Sequence, residues 1–147
     1  YQHLRRLADL IFQGIQRIIQ NYKFRKMSPK ITIKEKYILV EPEKGTDYRE
    51  IHRGLARLFY SDRIPARNRI WIFREGPEEF SDDDLLKLKA VIKDNYPGDA
   101  KVNKTAIVVA SELQLFMAES FAQIAEGIPQ TFKVFSNIAD AEDWVME

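Results

Sequence analysis

KTAIVVASELQLFMAESFAQIAEGIPQTFKVFSNIADAEDW, residues Lys104 to Trp144, is the stretch that decides the fold class. Thr105 to Ala110 is continuously apolar, as a strand covered on both faces must be. Ser111 then stands at a helix N-cap, with Gln114 three residues on as its reciprocal partner. An amphipathic helix follows, and Gly127 and Pro129 stop it. Phe132 to Phe135 reads as a second strand and Ala139 to Met146 as a closing helix. This β-α-β-α unit predicts an α/β domain built on a central sheet.

Upstream, Arg69 to Phe73 (RIWIF) is another buried-type strand, and Glu75 to Glu79 a turn. Ser81 caps the next helix, with Asp82, Asp83 and Asp84 in its first turn, where negative charge suits the helix dipole. Leu85, Leu88, Val91 and Ile92 form its buried face, and Pro97-Gly98 ends it. Ile31 to Ile33 and Tyr37 to Val40 form a hairpin around Lys34-Glu35-Lys36. Pro42 and Gly45 close its second strand. Thr46 or Asp47 caps a helix through about Tyr60, with Glu50 placed to complete a capping box on Asp47. Its apolar stripe is Tyr48, Ile51, Leu55, Leu58 and Phe59.

The chain opens with an N-terminal amphipathic helix, Leu4 to Phe24. Leu4, Leu7, Leu10, Ile11, Ile15, Ile18, Ile19 and Tyr22 recur at helical spacing, and the polar face carries Arg5, Arg6, Arg17 and glutamines. The basic run Lys23-Phe24-Arg25-Lys26 follows, and Pro29 breaks the helix. The expected organisation is therefore a helix over residues 1–26 and an α/β domain over 27–147. The apolar stripe must be buried somewhere. Docking on its own sheet or pairing in a homodimer ranks ahead of a membrane surface.

The 147 residues suffice for one domain with a real core, and 45% hydrophobic with 31% charged is ordinary for a globular protein. The absence of cysteine excludes disulfides and thiolate metal sites, and a cytoplasmic location is expected. No apolar run reaches the roughly 20 residues of a membrane span. The net charge of +1 hides an asymmetry: +5 over residues 1–26, +5 over 27–74 and −9 over 75–147.

In its order β-β-α-β-α-β-α-β-α the chain resembles the STAS-like domains of sulfate transporters and anti-sigma-factor antagonists. Two stretches carry the resemblance. Arg69-Ile70-Trp71-Ile72-Phe73 followed by Phe80-Ser81-Asp82-Asp83-Asp84-Leu85 is similar to the family's strand, loop and capped helix, written D-S-S-G-L. Ala106 to Val109, Phe132 to Phe135 and Ala139 to Trp144 are similar to its closing strand, strand and "eA..W" helix. The resemblance implies a bacterial regulatory module that binds a protein partner, with a central sheet of four to five strands. Family antagonists are switched by phosphorylation of a motif serine. Here the two serines fall on Asp82 and Asp83 and the glycine on Asp84. That register implies no phosphoacceptor and only partial mimicry of a phosphate. A one-residue slip would place Ser81 on the motif, although helix capping alone accounts for Ser81 and the three aspartates.

Other chemistries find little support. The three consecutive aspartates point in different directions and do not converge on one ion. His3 and His52 are isolated. There is no nucleophile elbow, dinucleotide fingerprint or Walker loop. No catalytic residue, metal or cofactor is expected. Arg49, Arg53 and Arg57 recur at spacing four, a candidate anion site, and Arg63, Arg67 and Arg69 extend the basic region. No aromatic interleaving accompanies them, so nucleic acid is not expected. The leading expectation is a non-enzymatic interaction module whose partner meets Glu78, Glu79, Ser81, Asp82, Asp83 and Asp84. The alternative is a domain binding a small apolar ligand or lipid between sheet and helices, near Phe116, Phe121, Phe132 and Phe135.

Overall fold

The computed structural model describes residues 2–26, 28–43, 45–95 and 103–147. Helix α1 (Gln2–Lys26) is followed by the strands β1 (Lys30–Ile33), β2 (Tyr37–Glu41) and β3 (Thr46–Asp47). Then come α2 (Tyr48–Tyr60), β4 (Asn68–Ile72), β5 (Glu78–Glu79), α3 (Asp82–Asn95) and β6 (Asn103–Val108). The chain closes with α4 (Glu112–Ile124), β7 (Gln130–Phe135) and α5 (Ile138–Met146). The predicted element order is observed, with β3 and β5 added. The predicted stop at Pro97-Gly98 lies outside the described residues.

Strands β1-β2-β4-β6-β7 form one sheet, in that order. The hairpin makes β1 antiparallel to β2, and every other pair is parallel. Each parallel strand lies beside its predecessor in the chain. Right-handed crossovers repeated in one direction place all their helices on one face. Helices α2, α3 and α4 accordingly cover Ile38, Val40, Trp71 and Ile107, whereas α5 covers Ile70, Ala106 and Val108. From Thr105 to Val108 strand β6 is buried on both faces, which explains the apolar run that begins at Ala106. The parallel order never reverses, so these strands make no switch-point crevice of the kind where open α/β sheets bind ligands.

Trp71 centres the larger core layer. It stands between Val40 and Ile107 in register and stacks on Phe73 at 6.2 Å. Helix α2 rests on it at Gly54, where an added Cβ would lie 2.8 Å from Trp71 Cη2 and 2.9 Å from Pro29 Cγ. On the opposite face α5 is clasped at its C-terminal end. Asn68 Nδ2 donates to the Val145 carbonyl at 2.8 Å and Lys104 Nζ to the Trp144 carbonyl at 2.9 Å. These bonds satisfy carbonyls that the helix end leaves open.

Four expectations change. Asp47 caps α2 through the Arg49 N–H, but Glu50 does not complete a box on it. Glu50 is buried and accepts the Glu43 N–H at 2.6 Å instead. Gln114 likewise accepts from Ala110, one residue before the cap, rather than from Ser111. The aromatic set divides, because Phe121 and Phe132 meet edge-to-face at 5.2 Å, Phe135 packs on Trp144 across the sheet, and Phe116 is exposed. Finally, every side chain from residue 2 to residue 19 of α1 is exposed, so this stretch of the helix is not docked on its own sheet.

Candidate functional site

The acidic edge is built where β4 leaves the sheet. The parallel pairing of β3 with β5 ties Thr46 to Glu78 and Asp47 to Glu79. Thr46 Oγ1 donates to Glu78 Oε2. Gln114 Nε2 donates to the Arg74 carbonyl at 2.8 Å and to Glu78 Oε1 at 3.2 Å. Glu78 is thus occupied in holding the loop. Ser81 and Asp84 form a reciprocal capping box: the Asp84 N–H donates to Ser81 Oγ at 3.3 Å, and the Ser81 N–H to Asp84 Oδ2 at 2.9 Å. Asp84 also lies 4.0 Å from Lys87 Nζ. Glu79, Asp82 and Asp83 remain exposed with no such duty in the loop. Of the six acidic-edge candidates, the structure makes Glu78, Ser81 and Asp84 scaffold and leaves Glu79, Asp82 and Asp83 at the surface without such a bond.

Beneath this edge lies a cavity between the sheet and the three helices, with a volume of about 90 Å³. Its walls include Trp71, Phe73, Phe80, Phe121 and Phe132, with Arg69, Thr105 and Gln130 toward the strand starts and Thr46 and Gln114 toward the strand ends. Thr105 Oγ1 donates to Gln130 Oε1. The volume falls below the roughly 150 Å³ of an apolar cavity that holds benzene. Its size suits a small apolar group.

No protein-family profile matches this sequence, and no curated protein does. A solved structure is similar, that of an uncharacterized protein of the DUF3478 family with a SpoIIAA-like fold, from Shewanella loihica PV-4. The two share 20% identity with a TM-score of 0.50, over 78% of this chain and 90% of that one. The fold is SpoIIAA-like, and so STAS-like. In this SpoIIAA-like body the capped helix expected from the sequence is present, and its cap is Ser81 with Asp84 as partner.

The arginines do not form one patch on the body. Arg49 and Arg53 are exposed, but Arg57 turns inward and its Nη1 donates to the Pro29 carbonyl at 2.5 Å. Burial holds the Arg57 guanidinium below its ordinary pKa. Arg67 donates to the Lys34 carbonyl. Arg69 is buried with its guanidinium 5.5 Å from the centre of the Phe59 ring. Period four placed the first three on one helix face, and only the tertiary structure showed that this face meets the segment at Pro29. Among the described residues no cluster of His, Cys, Asp and Glu is arranged to hold a metal ion.

Sequence reasoning missed a surface hollow of about 300 Å³ beside the acidic edge, lined by Glu43, Asp47, Glu50, Glu79 and Arg53 among others. Its acids come from three separate segments, so no local pattern announces it. Burial is the main cause that raises the Glu50 pKa above its ordinary value. The Glu43 N–H and Arg53 oppose the rise, and the Asp47 and Glu43 carboxylates add to it. A raised folded pKa gives stability that is complete below the unfolded pKa and is lost as pH rises through the folded one. Glu50→Gln keeps an oxygen acceptor without the charge. It is expected to raise the melting temperature by a few degrees at neutral pH and to leave it unchanged in acid, where Glu50 is protonated in both states. Thermal unfolding at the two pH values checks this. Equal shifts at both would assign the effect to packing rather than titration.

Proposed function

We propose that this chain is a non-enzymatic interaction module, a SpoIIAA-like body carrying an external docking helix. The observation that carries this reading is α1. Its eight large apolar residues from Leu4 to Ile19 expose between 42% and 70% of their surface. A contiguous apolar face on that scale marks a binding surface. The second surface is the acidic edge of Glu79, Asp82 and Asp83, held in place by the Ser81 cap and the Thr46–Glu78–Gln114 bonds, and suited to a basic protein partner.

The double variant Leu7→Glu with Ile11→Glu tests the docking helix. It is expected to abolish association through α1 while leaving the unfolding midpoint of the body unchanged. A midpoint loss as large as that of a core substitution would show that this face belongs to the core, and the reading would fail. Turnover of a small metabolite, lost on changing one polar residue, would end the non-enzymatic half of the proposal.

The cavity favours a second reading, a pocket for a small apolar ligand. Native mass spectrometry tests it: a small molecule travelling with the purified chain supports the pocket, and a bare chain mass removes it.

A further inference from the structure

We infer that α1 lies in the plane of an anionic membrane surface, an assignment that rests on reading α1 as a docking helix. Side chains on a helix advance by about 100° per residue, so the apolar ones of α1 span an arc of about 200°, from Leu10 through Ile18 and Ile11 to Phe12. Arg5, Arg6, Asp9, Gln13, Gln16 and Arg17 fill the opposite arc. A two-stranded coiled coil buries a stripe of roughly half that width. Pairing two copies would therefore leave Leu10 and Phe12 in water.

Charge points the same way. Coiled coils set their register with opposite charges beside the seam. Residues 1–26 hold six bases and one acid, so two paired copies would present the same sign to each other. An anionic lipid surface accommodates both features. The wide apolar face enters the acyl boundary, and the arginines meet the headgroups. The positive stretch continues past α1 into the hairpin, where exposed Lys30, Lys34 and Lys36 outnumber the exposed Glu35. No described helix is long and apolar enough to cross a membrane, so α1 lies on the surface rather than through it.

Sedimentation of the full chain with vesicles tests the assignment. Binding to phosphatidylcholine mixed with phosphatidylglycerol is expected to be about a hundredfold tighter than to phosphatidylcholine alone, and to weaken with salt. Leu7→Glu with Ile11→Glu is expected to remove binding. Arg5→Gln, Arg6→Gln and Arg17→Gln together are expected to reduce the anionic preference to a few-fold, with the unfolding midpoint of the body unchanged. Failure to bind either vesicle, with a concentration-dependent dimer that the two glutamates dissolve, would overturn the membrane assignment and keep the docking helix. Failure to bind, with a monomer that the glutamates destabilise, would overturn both.

Discussion

Trp71→Ala is expected to destabilise the chain by about 4 kcal/mol, near the top of the range for single core truncations. Only 5% of the residue is exposed. It supports α2 at Gly54, stacks on Phe73 and forms part of the cavity wall. Removing the indole would merge its volume with the existing 90 Å³ space. Three helices and the sheet pack around that space, and the cost of truncation grows with the cavity left behind. Equilibrium denaturation measures the loss. A change below about 1 kcal/mol would contradict the position of Trp71 beneath the helices.

Gly45→Ala is expected to cost about 3 kcal/mol, the sum of a strained backbone and an overpacked contact. Gly45 has φ of +47°, where a Cβ is strained, and an added Cβ would lie 2.3 Å from the Pro77 carbonyl oxygen and 2.7 Å from Gly76 C. These are backbone atoms, so a side-chain rotation gives no relief. Relief requires β3 to part from β5, which breaks the Thr46 N–H bond to the Pro77 carbonyl and releases Glu78 from Thr46. The acidic edge would loosen, and faster hydrogen exchange at Thr46 would report it. Gly127→Ala is the control. Its φ of +92° is equally unsuited to a side chain, but nothing lies within 4 Å of the added Cβ. It should carry only the conformational cost of about 1–2 kcal/mol. Equal losses in the two variants would show that the Pro77 contact contributes nothing.

The two glycines also show how far the sequence could be read. Gly127 announced itself, because a glycine followed by Pro129 after an apolar helical stripe is a stop signal. Gly45 was legible only as the end of a strand. Its close approach to Gly76 and Pro77 joins segments more than thirty residues apart. Strands β3 and β5 escaped notice for the same reason, since two residues carry no periodicity. The candidate site divides along this line. Ser81 and its aspartates were readable as a cap because the whole motif lies within four residues. Glu78 read as a free acid, yet Thr46 and Gln114 hold it from 32 and 36 residues away.

By itself, the sequence determined the order and type of the longer elements, the caps at Ser81 and Ser111, a cap for α2 at Thr46 or Asp47, the hairpin, and the α/β class. These depend on side-chain periods of 2 and 3.6 residues and on hydrogen bonds that close within one turn, interactions that hold before the chain is packed. Tertiary structure decided the choice of distant partner: Glu50 with Glu43 rather than Asp47, Gln114 with Arg74, Arg57 with Pro29, and the separation of Phe121 and Phe132 from Phe135. A carboxylate or amide bonds equally well to any suitably placed donor or acceptor, so only the packed sheet and helices select among them. Helix α1 follows the same rule. Its pattern required that an apolar face be covered, and the packed structure showed that the sheet does not cover it.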